Sequence, residues 1–248
     1  MSGHSKWANI KHKKGKADAA RGKITTKIGR EITIAVRMGG PDPIGNMRLK
    51  LALSKARANN IPKDNIKRAI AKGAGEAGGA SYEEISYEGY GPAGVAIMVT
   101  CLTDNKNRTA SDVRHAFSKH GGNMGETGCV GWMFKRKGVF AIDAEAGYKE
   151  DDIMMVALDA GAEDIKSSED GFEVITQPED FDAVEKALAE HNIATVAAEI
   201  NMVPDTMVSL QGEDAEKVQR TIDELEDLDD VQDVFSNADL PDLPDEED

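Results

Sequence analysis

The chain of 248 residues is 40% apolar and 30% charged, a balance that fits folded domains and excludes a chain too polar to build a core. No stretch approaches the ~20 apolar residues of a membrane-spanning helix and no apolar leader opens the chain, so a cytoplasmic protein with no membrane partner is expected. The net charge of −15 would by itself argue against nucleic acid, but residues 1–73 hold 18 Lys and Arg against 4 Asp and Glu, while 74–248 hold 12 against 41. A basic third joined to an acidic remainder can grip a polyanion at one end and leave the rest in solvent or against a cationic partner.

Residues 2–16 read as a basic arm, with Lys6, Lys11, Lys13, Lys14 and Lys16 crowded around Trp7 and His12. Ile24, Ile28, Ile32 and Val36 then recur every four residues and predict a first helix. Lys23, Lys27, Arg30 and Arg37 fall on an adjoining stripe of that helix, and Arg21 precedes them. Gly39, Gly40 and Pro41 stop it. Leu49, Leu53 and Ala56 mark a second helix that carries Arg48, Lys50, Lys55 and Arg57. Pro62 suits the first turn of a third, with Ile66 and Ile70 inward, Lys63, Lys67, Arg68 and Lys72 outward, and Gly73 as its stop. Three short amphipathic helices make a small bundle, whose second and third members read either as a helix-turn-helix or as plain members of a three-helix bundle. Residues 73–80, rich in Gly and Ala, are the expected linker; they lack the Gly-Lys-Ser/Thr ending of a phosphate loop.

Beyond the linker, strands and helices alternate. Residues 82–90 and 95–102 read as strands, 107–119 as a helix and 130–134 as a strand. From residue 138 the order is strand (138–143), helix (149–160), strand (163–166), strand (172–176), helix (181–191), strand (195–202), which is the ferredoxin-like order. A strand at 207–210, a helix with Ala215, Val218, Ile222 and Leu225 inward, and a strand at 231–235 are expected to complete the interrupted middle domain. The fold class is therefore α+β: an N-terminal three-helix bundle and two α/β domains, one ferredoxin-like and inserted into the other. The expected boundaries are 1–79, 80–135 plus 203–238, and 136–202, with an acidic disordered tail at 239–248.

Catalysis needs convergent groups, and none announce themselves, so no enzyme, no cofactor and no metal is expected. His115 and His120 are five residues apart, so on one helix they point roughly 140° from one another and cannot share a metal. Cys101 and Cys129 show no metal-ligand spacing and read as small buried hydrophobes. Lys106, Arg108, Arg114 and Lys119 near one helix, and Lys135, Arg136 and Lys137 after it, form a second positive feature. The polar run 103–109 suits either phosphate binding or simple capping at a helix start. The ferredoxin-like unit lacks the basic-aromatic strand of an RNA-recognition motif, and residues 138–203 hold 17 acidic against 3 basic residues, so it reads as a spacer or a protein-contact module.

Several runs resemble the YebC/PmpR family: Gly3-His4-Ser5-Lys6-Trp7-Ala8-Asn9-Ile10-Lys11-His12, Asn60-Ile61-Pro62-Lys63-Asp64, Tyr87-Glu88-Gly89-Tyr90-Gly91-Pro92, residues 103–108, Val113-Arg114-His115-Ala116-Phe117-Ser118-Lys119 and Gly121-Gly122-Asn123. Thr25 departs from the aromatic expected there. The resemblance implies three domains and two functional traditions, DNA-binding transcriptional regulators and relatives that act on translation at the ribosome. The expected partner is thus promoter DNA or ribosomal RNA, bound by a monomer or weak dimer. The expected contacts are Lys6, Trp7, Lys11, His12, Lys13, Lys14, Lys16, Arg21, Lys23, Lys27, Arg30, Arg57, Lys63, Lys67, Arg68, Lys106, Arg108 and Arg114. Lys and Arg would hold phosphates, which gives affinity rather than sequence choice.

Overall fold

A computed structural model describes residues 21–75 and 82–241. The fold is α+β, with N-terminal helices and two sheet-bearing regions, and it divides into two compact units.

One unit holds residues 21–75, 82–129 and 219–234 of the described chain. Its first three helices are α1 (Arg21–Gly39), α2 (Met47–Ala58) and α3 (Lys63–Gly73). The four-residue apolar recurrence becomes their shared core, in which Ile28, Ile32 and Val36 of α1 meet Leu49, Ala52 and Ala56 of α2 and Ala69 of α3. Asn46 fixes the α1–α2 corner: its side-chain oxygen accepts from the Leu49 amide, capping α2, while its Nδ2 donates to the carbonyls of Ala35 (2.7 Å) and Gly40 (2.9 Å). Gly73 is not the helix stop expected of it. The left-handed position is Gly75, whereas Gly73 is buried where α3 meets α1, and a Cβ there would lie 2.6 Å from the Thr33 carbonyl oxygen and 2.7 Å from the Val36 Cβ. Gly73→Ala is therefore expected to cost about 1–3 kcal/mol through overpacking, read as a lowered Tm with unchanged helical content.

The same unit carries a sheet of order β3-β1-β2-β9, built from β1 (Glu83–Tyr90), β2 (Ala96–Thr103), β3 (Asn123–Met124) and β9 (Val231–Ser236). β1 and β2 form an antiparallel hairpin. β2 is buried almost throughout, as its run Ala-Ile-Met-Val-Thr-Cys-Leu-Thr requires of a strand with neighbours on both sides. α4 (Lys106–Lys119) buries Val113, Ala116 and Phe117. A strand from near the end of the chain thus completes a sheet begun at residue 83.

The other unit holds residues 130–218 and 235–241 of the described chain. Its sheet has the order β5-β6-β4-β7, all antiparallel, from β4 (Phe134–Asp143), β5 (Ala162–Ser167), β6 (Gly171–Thr176) and β7 (Ala197–Pro204). α5 (Glu150–Asp159) connects β4 to β5, and α6 (Phe181–Glu190) connects β6 to β7. Phe140 of β4 stacks on Phe181 of α6 at 4.5 Å between ring centroids. That approach needs Gly138, because a Cβ there would sit 2.7 Å from the Phe181 ring.

Three further sequence expectations are corrected. Residues 130–134 are not a strand: Gly131–Met133 is a 3-10 turn, and β4 starts at Phe134, where pairing with Pro204 of β7 begins. The strand expected at 207–210 is β8 (Val208–Ser209), which pairs in parallel with β10 (Ala238–Asp239) and does not join the sheet of the first unit. Asn237 and Ala238 are buried and Asp239 is paired, so the acidic tail is ordered further than expected, and residues 242–248 lie outside the described residues. The last helix among the described residues is α7 (Gly212–Asp227), with Ala215, Val218, Ile222 and Leu225 buried.

Candidate nucleic-acid interface

Lys6, Trp7, Lys11, His12, Lys13, Lys14 and Lys16 lie outside the described residues. Arg21 begins α1. The structure separates the other expected contacts into two groups, those held by carboxylates or backbone carbonyls of other elements and those without a carboxylate partner among the described residues.

The α1 stripe belongs to the first group. Lys23 Nζ lies 2.9 Å from Asp227 Oδ1 and also donates to the Asp227 carbonyl, and Lys27 donates to the Glu226 carbonyl. Arg30 Nη1 donates to the Asp229 carbonyl at 2.7 Å and to Asp230 Oδ1 at 2.9 Å. These cations cap the C-terminal end of α7 and the turn after it, where carbonyls lack helical partners and the helix dipole is negative. Burial lowers the Lys27 ammonium from its ordinary range, against the opposing pull of Glu226, Asp227 and Asp233. The periodicity that placed Lys23, Lys27 and Arg30 on one face was sound. What meets that face is an acidic segment some 200 residues later in the chain.

Asp230 is the centre of this arrangement. It is only 6% exposed, and it accepts from Arg30, from Arg108 Nη2 (2.7 Å) and from the Thr109 hydroxyl (2.8 Å). Arg108 also binds Asp104 at 2.9 Å, and the two carboxylates push its guanidinium further above its ordinary range. Burial alone would raise the Asp230 carboxyl, but the hydrogen bonds from Arg108 and Thr109, with the charges of Arg108 and Arg30, leave it below the usual carboxylate range. Capping is present in the 103–109 run: Asn105 accepts from the Arg108 amide and Thr103 from the Asn105 amide. A polar cleft of about 580 Å³ lies beside this network, lined by Lys23, Arg30 and Arg108 together with Asp104, Asp112 and Asp227 to Asp230. Its mixture of five carboxylates with three engaged cations leaves little net attraction for an anion.

Other cations of the second positive feature are paired as well: Lys106 with Glu83, Lys119 with Glu224, Lys135 with Asp205 and Lys137 with Glu163. Arg114 is exposed on α4.

The second group sits on α2 and α3. Arg57, Lys63, Lys67 and Arg68 are all exposed, and none forms an ion pair among the described residues. Arg68 donates only to neutral acceptors, Asn65 Oδ1 and the Asp64 carbonyl. Lys63 and Lys67 stand one helical turn apart on α3. The turn of residues 59–62 separates Arg57 from Lys63, with Asn60 in the left-handed region and Pro62 opening α3 without a side-chain cap. The Asn65 and Ile66 amides donate to the Pro62 carbonyl, which leaves the Lys63 and Asp64 amides at the start of α3 as the donors that phosphate oxygens could meet beside two lysines. Arg37, exposed in the last turn of α1, has the same character and was absent from the expected contacts.

Nothing among the described residues supplies a metal centre: no three His, Cys, Asp or Glu gather to hold an ion. Burial pushes the Cys101 thiol up to about 12, away from thiolate chemistry. No helix among the described residues is long and apolar enough to cross a membrane.

Residues 5–76 match the TACO1/YebC protein N-terminal domain, and residues 82–238 match the TACO1/YebC second and third domain. The chain is similar to a "probable transcriptional regulatory protein" of Desulforamulus reducens, 59% identical over 226 residues, which cover 91% of this chain and 93% of that one. A protein of the same description from Clostridium tetani is 59% identical over 225 residues, covering 91% and 92%. The crystal structure of a conserved hypothetical protein from Aquifex aeolicus matches with a TM-score of 0.85 at 45% identity, covering 97% of this chain and 99% of that one.

Proposed function

The chain belongs to the TACO1/YebC family of regulatory proteins implicated in gene expression, and we propose that within it this protein is a non-enzymatic, DNA-binding transcriptional regulator. One observation carries the reading. In a chain of net charge −15, the cations left without a carboxylate among the described residues include Arg57, Lys63, Lys67 and Arg68, grouped around the α2–α3 turn. Unneutralised cations beside an uncapped helix start are suited to a phosphate backbone, and the α2–α3 pair is suited to a helix-turn-helix in which α3 approaches the groove. The basic arm with Lys6, Trp7, Lys11, His12, Lys13, Lys14 and Lys16 extends the contact on the same electrostatic logic, and Arg21, Arg37 and Arg114 add to it. Lys23, Lys27, Arg30, Lys106 and Arg108 contribute indirectly, by holding the helices and the sheet together.

The strand order of the second sheet supports a ferredoxin-like assignment for residues 136–202, inserted in sequence between β1 to β3 and the β9 strand that completes their sheet, after a basic domain at 1–79. The protein works in the cytoplasm as a monomer or weak dimer, without a cofactor.

The experiment is in-cell crosslinking followed by sequencing of both the DNA and the RNA attached to the protein, with Arg57, Lys63, Lys67 and Arg68 replaced by Ala as control. Recovery at discrete promoters, lost in the control, is the expected result. Recovery on ribosomal RNA with promoters at background would replace this reading by a translation factor.

A further inference from the structure

Three of the large apolar side chains that the described residues leave exposed lie within five positions of α5: Met154 (39%), Met155 (62%) and Leu158 (45%). The helix spends Ile153, Val156 and Ala157 on the core, so these three form a second apolar strip on its outer side. Asp151 stands one turn before Met155 and Asp159 one turn after it, and Asp152 is exposed on the first turn. None of these three carboxylates has a cation partner among the described residues. The segment around them holds 17 acidic against 3 basic residues between positions 138 and 203.

From this juxtaposition we infer that the outer face of α5 docks a cationic, amphipathic peptide segment of a protein partner, with the partner's apolar side chains on Met154, Met155 and Leu158 and its Lys or Arg on the flanking carboxylates. The chemistry selects this occupant. A nucleic acid is repelled by the unpaired carboxylates, and a second copy of the same acidic face repels itself. A purely apolar partner would leave Asp151, Asp152 and Asp159 facing it without counter-charges. Methionines suit such a surface because their flexible, polarisable thioethers repack around differing apolar side chains. The inference stands apart from the nucleic-acid reading, which concerns other helices.

The test uses the full chain and two labelled synthetic peptides of about five helical turns. One carries Leu at helical spacing on a Lys background, and the other has the same residues shuffled so that no apolar stripe forms. Fluorescence anisotropy is expected to show salt-sensitive binding of the striped peptide and about tenfold weaker binding of the shuffled one. A Met155→Ser/Leu158→Ser variant, with its circular dichroism and DNA affinity unchanged, is expected to lose about tenfold for the striped peptide. Asp151→Asn/Asp159→Asn is expected to weaken binding and reduce its salt dependence. Equal binding of both peptides, or no effect of the serine pair, would overturn the inference in favour of plain charge attraction. If the striped peptide bound only after Lys11, Lys13, Lys14 and Lys16 were changed to Ala, the chain's own arm would be the occupant and the foreign partner would be ruled out.

Discussion

Replacing Asp230 by Ala is expected to lower the unfolding free energy at neutral pH by about 3 kcal/mol, because it strips one carboxylate from two arginines at once. Arg30 has a side chain only 17% exposed, and its Nε already lacks a hydrogen-bond partner. Without Asp230 it keeps the carbonyls of Asp229 and Leu102 and the face of the Tyr82 ring, none of which is a counter-charge, and a buried cation without one costs far more than the pair is worth when intact. Arg108, half exposed, can turn to Asp104 and water, which places the cost near the low end of the range for a broken buried pair. Asp230→Asn keeps the shape and part of the hydrogen bonding, so a smaller loss is expected. The pH dependence has a definite sign. The folded-state carboxyl is net lowered, so its contribution is fully present above the unfolded value of about 4 and disappears as pH falls through the folded value. Urea titrations at neutral pH and at about pH 3 check this: the gap between the wild type and Asp230→Asn should narrow as the pH falls below the unfolded carboxyl value. An equal gap at both pH values would mean that Asp230 contributes by shape rather than by charge.

This network explains what the sequence could and could not reveal. The cores of the helices were legible because a repeat of four marks a buried stripe, and Ile28, Ile32 and Val36 are buried as that stripe requires. Periodicity identifies the polar face but is silent on what touches it. Lys23, Lys27 and Arg30 look no different from Lys63 and Lys67 in the sequence, and they are told apart only by a segment some 200 residues away. Within that segment, Leu-Glu-Asp-Leu-Asp-Asp-Val, nothing marks Asp230 as the buried carboxylate among exposed neighbours such as Asp227 and Asp229. The start of β4 was obscured for a related reason. Lys135 and Arg136 are both exposed and break the alternation that a half-buried strand displays, while the pairing with β7 that defines the strand is non-local. Gly73 reads as a helix stop because composition cannot distinguish a glycine needed for its φ from one needed for close approach.

The separation of neutralised from unneutralised cations has its largest consequence in binding. Changing Arg57, Lys63, Lys67 and Arg68 together to Ala is expected to flatten the plot of log affinity for duplex DNA against log salt by roughly 0.9 for each phosphate no longer held, about 3.6 for four phosphates. Carried to ~0.1 M salt, that slope corresponds to a loss of three decades or somewhat more. All four side chains are exposed and form no ion pair among the described residues, so the fold should survive the change, which circular dichroism and the thermal midpoint would verify. The contrasting variant is Lys23→Met/Lys27→Met. It removes two positive charges that carbonyls and Asp227 already hold, so it should leave the salt slope almost unchanged while altering stability. Counting charges alone predicts that the slope falls by about half as much for the pair as for the four, since counterion release depends on the number of cations that reach phosphate. Equal slopes per charge in the two variants would show that the α1 stripe lets go of α7 to meet the nucleic acid; a slope confined to the α2–α3 group would show that the folded protein has already decided which of its cations a phosphate can reach.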